Sequence, residues 1–164
     1  MKTALAAFVM AFAAAGAASA AERLDDSASP RSRVPARVVL TDEGRSLIAS
    51  RNPTRAIVQM GRVDFRLATA RYVGKQARIY FVMPPIVTGL RSPSAMRVDW
   101  RGNGTFANGS ARPGERQLVW TGTVAGPWMN EGLDLSFEVD LRQLQLQADG
   151  QFGFEPFFEI EVFP

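Results

Sequence analysis

The sequence predicts an all-β protein: a single antiparallel β-sandwich of immunoglobulin-like or jelly-roll type, preceded by a cleaved signal peptide. Three observations predict it. The C-terminal third alternates. Leu133, Leu135, Phe137, Val139 and Leu141 are interleaved with Asp134, Ser136, Glu138, Asp140 and Arg142. Phe152, Phe154, Phe158, Ile160 and Val162 then fall on even positions, with Glu155, Glu159 and Glu161 between them. A period of two puts one set of side chains on each face of a strand, so both stretches read as strands with one dry and one acidic face. Similar short runs, about seven to nine in all, recur along the chain with no helical pattern among them. Finally, 14 Gly and 10 Pro in 164 residues favour many turns over long helices.

Taken in order, residues 1–20 read as a secretory signal. Lys2 gives the positive start, Leu5 to Ala15 is apolar, and Ala18-Ser19-Ala20 is a small-residue cleavage site that leaves Ala21 first. The apolar run is short for a membrane span, and the mature chain has no transmembrane segment of ~20 apolar residues. No Cys follows the site, so no lipid anchor is expected. The style is that of a bacterial envelope, which places the product in the periplasm, outside the cell or on its surface. Residues 21–33 are polar and read as a flexible N-terminal arm. Residues 34–164 form the sandwich.

Arg37 to Thr41 is the first predicted strand, and Asp42-Glu43-Gly44 a turn. Ser46 to Ser50 is too short to assign. Ala56 to Gln59 and Val63 to Ala70 are strands, with Gly61 a bulge or bend between them. Tyr72-Val73-Gly74-Lys75 reads as a hairpin connection. Ala77 to Met83 is nearly apolar throughout after Arg78, the pattern of a central strand covered on both faces. Pro84-Pro85 ends it. Ala95 to Trp100 is a further strand. Asn103-Gly104 and Asn108-Gly109 are tight-turn signals. Gln117 to Val124, with Leu118, Trp120 and Val124 in phase, is expected to pair with the strand before this Gly-rich loop. Gly126 to Gly132 reads as a loop, Asp149-Gly150 as the turn into the last strand.

Charge is uneven. Residues 21–101 hold 15 Lys+Arg against 7 Asp+Glu, and residues 102–164 hold 3 against 9. Such a chain can pair its own halves in space, or stack basic on acidic between copies. No basic cluster is interleaved with aromatics, so no nucleic acid is expected as partner. There is no Cys and no His. That excludes disulfides, thiol catalysis, thiolate metal sites and a Ser-His-Asp triad.

Two apolar stretches in turn-rich surroundings are the candidate binding residues: Ile86, Val87 and Leu90 between proline pairs, and Trp128 with Met129 between glycines. Exposed apolar and aromatic residues at loop tips serve as protein–protein hot spots or as sugar platforms. The acidic strand faces, Asp134, Glu138 and Asp140 on one and Glu155, Glu159 and Glu161 on the other, suit a cation site or a carboxylate-pair hydrolase only if the strands are neighbours.

The layout of an exported sandwich with a free N-terminal arm and a terminal apolar strand ending in Phe163-Pro164 resembles the subunits of chaperone–usher pili. There an N-terminal arm completes the neighbouring subunit by strand addition. The resemblance implies a donor segment over Val34 to Leu40, with Val34, Val38 and Leu40 on alternate positions. Phe163 stands where that family has a near-terminal Tyr, and its disulfide is missing. The function expected is an exported, non-enzymatic module that binds an envelope or surface protein, or other copies of itself. The alternative is a carbohydrate-binding module built on loop aromatics; a carboxylate-dependent hydrolase is the distant one. No catalytic residue, metal ligand or cofactor is assigned.

Overall fold

A computed structural model of the chain describes residues 20–30, 38–41, 44–145 and 152–163. Among the described residues the alternation seen in the sequence becomes nine strands: β1 (Glu22–Arg23), β2 (Val38–Thr41), β3 (Arg55–Ala68), β4 (Gln76–Val82), β5 (Met96–Gly102), β6 (Gly109–Ala111), β7 (Arg116–Thr123), β8 (Trp128–Asp140) and β9 (Phe157–Val162). They form two antiparallel sheets, ordered β1-β9-β4-β7 and β2-β3-β8-β5-β6. The inward residues of both sheets share one core, including Phe65, Phe81, Trp100, Phe106, Leu133 and Phe158. The result is a β-sandwich. Among the described residues no helix is long and apolar enough to cross a membrane.

The two runs around Gly61 are one strand. β3 pairs with β8 along its whole length, and the register shifts between Gln59 and Gly61. Gly61 takes a φ of +77°, a left-handed geometry that favours glycine. The extra residue flips the buried parity. Ala56 and Val58 are buried before the bulge, Phe65 and Leu67 after it. One inserted residue thus keeps 14 residues of strand facing the same core.

Several local expectations are corrected by tertiary pairing. The segment Tyr72 to Lys75 is an arch, because β3 and β4 belong to different sheets. Buried Tyr72 pulls the arch inward, and its hydroxyl donates to Glu22 at 2.6 Å. β4 is central as expected, between β9 and β7, but its faces alternate: Ala77, Ile79 and Phe81 are buried while Gln76 and Arg78 are exposed. β7 pairs with β4, and β5 is flanked by β8 and β6. A second bulge sits where Ile79 opposes Trp120 and Tyr80 opposes Leu118. It sends Val119 into the core and leaves Leu118 48% exposed, so Leu118 does not share the face of Val124. The expected loop at Gly126 to Gly132 is largely strand, since Trp128 and Met129 continue the ladder to Ala68 and Leu67.

No described residue other than glycine has a positive φ, so neither Asn-Gly pair makes a left-handed tight turn. The β5–β6 connection is instead a longer loop whose Phe106 plugs the core. The last strand is shorter than predicted. Pro156 lacks the N–H a ladder needs, and pairing with β4 begins at Phe157. Leu144 packs on the core from a turn that follows β8.

The start of the expected free arm is docked. Glu22 and Arg23 pair with β9, and Leu24, 1% exposed, donates its N–H to the Phe158 carbonyl. The chain then crosses to the other sheet. Asp25 accepts from the Ala68 N–H, and the Ser29 hydroxyl accepts from the Arg66 N–H. Burying Leu24 on an otherwise open edge of β9 is the physical reason. Residues 1–19 of the predicted signal, the donor-like residues 34–37, Asp42 and Glu43, and the turn at Asp149-Gly150 lie outside the described residues.

Candidate functional site

A cavity of about 440 Å³ opens over β3 and β8, flanked by the stretches 26–30 and 152–156, within the range of ligand and peptide sites. Its floor comes from β3 and β8: Met60, Val63 and Phe65 on one, Leu135 and Phe137 on the other. The β3 bulge places them. Met60 is the inserted residue, and beyond it odd-numbered side chains turn inward. One wall is the stretch 152–156, which leaves the β-ladder at Pro156 and lays its rings on the floor. Phe152 stacks on Phe137 at 5.8 Å between centroids, and Phe154 meets the same ring edge-on at 5.7 Å. The opposite wall is the docked N-terminal stretch, through Asp26, Ser29 and Pro30.

The wall at 152–156 is fastened from behind. Thr88 and Gly153 exchange two backbone hydrogen bonds, at 3.1 and 3.3 Å. Thr88 belongs to the apolar loop after β4. There Val87 is 5% exposed and Leu90 packs against the core, while Ile86 stands 82% exposed. So two of the three predicted contact residues of this loop are supports, and Ile86 alone is a free tip. Trp128 and Met129 lie at the opposite end of the sandwich, because β8 runs from Trp128 there to Asp140 near this loop. Trp128 is 43% exposed on the outer face of its sheet, with the Arg66 guanidinium 4.5 Å from its ring centre. Met129 points inward and packs on the core. The five predicted residues therefore do not form one site.

The acidic faces do not meet either. β8 and β9 are in different sheets, and their carboxylates face outward on opposite sides of the sandwich, more than the ~10 Å inter-sheet spacing apart. Four of these six carboxylates are matched by arginine. Glu138 pairs with Arg55 at 2.8 Å, and Arg116 bridges Glu159 at 3.1 Å and Glu161 at 2.8 Å. The bonds from Arg142 hold the Asp140 carboxyl down to about 2. Arg116, and after it the Tyr80 hydroxyl, lower Glu161. Among the described residues no cluster of carboxylates is arranged to hold a metal ion.

Glu131 is a carboxylate that the loop expectation for 126–132 concealed. It is 5% exposed on the inner face of β8 and accepts from the Thr105 N–H at 3.0 Å and from the Thr105 hydroxyl. All its bonds hold the β5–β6 loop, so it organises the end of the sandwich. Its signal was its parity, in phase with Leu133, Leu135 and Phe137.

Comparison with family models, with curated proteins and with solved structures finds no match to this chain.

Proposed function

We propose that this chain is an exported β-sandwich that acts by binding a segment of a partner protein, without catalysis, in the aromatic groove between residues 26–30 and 152–156. The observation that carries this reading is the groove itself: an open cavity floored by Met60, Val63, Leu135 and Phe137 in a protein whose other inward apolar side chains fill a shared core. Leaving such surface accessible costs roughly 25 cal/mol per Å², which a binding partner recovers on covering it. The bonds to Thr88 and the stacking on Phe137 pre-shape the wall, which lowers the ordering cost of binding. Export follows from the Lys2 start, the apolar run and the Ala18-Ser19-Ala20 site. Cleavage there leaves Glu22 and the first strand intact, and N-terminal sequencing of the secreted product is expected to begin at Ala21.

Selection of a displayed random-heptapeptide library on the mature protein tests the binding reading. Enrichment of apolar sequences is expected, and Phe154→Ala should abolish it. Enrichment that survives Phe154→Ala, or none at all, counts against the groove.

A second reading, carbohydrate binding, has one observation behind it. Trp128 remains exposed on the outer sheet face, and that sheet also carries a polar depression lined by Gln59, Asp99, Arg101, Asn108, Asp134 and Ser136. Glycan-array binding lost in Trp128→Ala is the result that this reading requires.

A further inference from the structure

We infer that the groove selects a cationic partner: an extended peptide segment in which apolar residues alternate with arginine or lysine. This deepens the binding reading above and rests on it. Among the described residues the groove is lined by three carboxylates, Asp26, Asp64 and Glu155, and by no cationic side chain. That is unusual in a chain with 19 Lys+Arg. Elsewhere on the two sheets most acids are matched by arginine: Glu22 by Arg71, Asp99 by Arg97, Glu138 by Arg55, Asp140 by Arg142, Glu159 and Glu161 by Arg116, while Asp134 and Glu131 are held by hydrogen bonds from Asn103 and Thr105. Asp64 is held by Arg62 at 2.7 Å. Among the described residues, no cation pairs with Asp26 or Glu155.

The division of labour is spatial. Apolar side chains make the floor; Asp26 and Glu155 come from the chain segments along its sides, and Asp64 from β3 itself. A ligand that fills such a site is apolar below and positive at its edges. The alternation of an extended segment supplies that, with successive side chains pointing down and out. Arginine suits the walls further, because its guanidinium stacks on aromatic faces. The protein itself uses that contact repeatedly: Arg23 on Phe157, Arg66 on Trp128, Arg78 on Phe163 and Arg116 on Tyr80. Phe152 and Phe154 offer rings of the same kind at the groove.

Fluorescence anisotropy on the intact mature protein tests this with three labelled heptapeptides. Each alternates Val, Leu and Phe with Arg, with Gln or with Glu. The Arg peptide is expected to bind about tenfold tighter than the Gln peptide, with the Glu peptide weakest, and the gap should shrink with salt. Asp26→Asn combined with Glu155→Gln should bring the Arg peptide down to the Gln peptide's affinity with the melting temperature unchanged. Equal binding of the Arg and Gln peptides overturns the cation preference but leaves the groove reading standing, provided Phe154→Ala abolishes both. Undiminished Arg-peptide binding by the double variant also overturns it. The chain's own sequence holds an arginine-rich run, Arg31, Arg33 and Arg37. If replacing these three by Gln tightens peptide binding several-fold, the groove's occupant is this chain itself and the partner proposal falls.

Discussion

Glu131 and Gly109 carry more of this structure than their side chains suggest. A buried carboxylate is costly unless its acceptors are used, and Glu131 spends them on Thr105 and the Phe106 N–H. Those bonds set Phe106 into the core against Phe158, with ring centres 5.5 Å apart. Glu131→Ala is expected to lose about 1–3 kcal/mol in urea unfolding, because backbone donors are stranded. Glu131→Gln should lose less, since one acceptor remains. Gly109 is required for a different reason. A Cβ placed there meets the Trp100 ring at 2.6 Å, and that ring is fixed by its own bond to the Ala107 carbonyl. Gly109→Ala should cost about 1–3 kcal/mol through overpacking, read as a lowered unfolding midpoint. At this scale the sequence was partly legible. The Asn-Gly pairs marked a change of direction, but the close approach to Trp100 depends on a ring nine residues away and leaves no local trace.

Strands show where patterning wins and where it yields. The even-to-odd switch across Gly61 announced the β3 bulge, because a two-residue period cannot slip silently. The β7 bulge had no glycine at the inserted residue, so Leu118 and Val119 exchanged places against expectation. β8 explains the charge asymmetry of the chain. Asp134 lies opposite Arg62 on β3 and Arg101 on β5, Glu138 opposite Arg97, and Asp140 opposite Arg55. The acidic half is threaded between basic strands, and cross-strand pairs of this kind contribute roughly 0.2–1 kcal/mol each. β1 is the element most dependent on one contact. It is two residues long, and Glu22 is held by the Tyr72 hydroxyl and by Arg71 at 2.8 Å. Tyr72→Phe is expected to leave the core packed yet speed hydrogen exchange of the Leu24 amide at least several-fold, with about 1 kcal/mol lost overall. Unchanged exchange at Leu24 would show that Leu24 burial alone holds the strand.

For the molecule as a whole, two antiparallel sheets were legible from composition and period, but which strands would share a sheet was not. Pairing partners depend on long-range crossings such as the β3–β4 arch, and local alternation is the same for every choice of neighbour. The groove was invisible for that reason: its floor joins Val63 to Leu135, and its wall needs Phe152 and Phe154 to leave the ladder. The pH limits of stability are a whole-molecule property that follows from named contacts. Asp140 is depressed from 3.8 to about 2, so its contribution is present above the unfolded value and disappears as pH falls through about 2. Asp140→Asn should therefore flatten the acid side of a stability profile between about pH 4 and 2. Burial, and then the bond to Glu22, push Tyr72 from 10.0 up to about 12, and burial also raises Tyr80. A raised phenol favours the native state below 10 and loses that effect as pH climbs through about 12. With only two tyrosines in the chain, tyrosinate absorbance should stay low at pH 10 and appear together with alkaline unfolding. A normal tyrosinate curve in the native protein contradicts this.

The most direct test of the account is where a bound peptide perturbs the amide and methyl resonances of the isotope-labelled mature protein. The structure predicts the largest shifts at Met60, Val63, Leu135, Phe152 and Phe154, with Trp128 and Ile86 unmoved. Shifts centred on Trp128 or Ile86, with the floor of the groove silent, would contradict it.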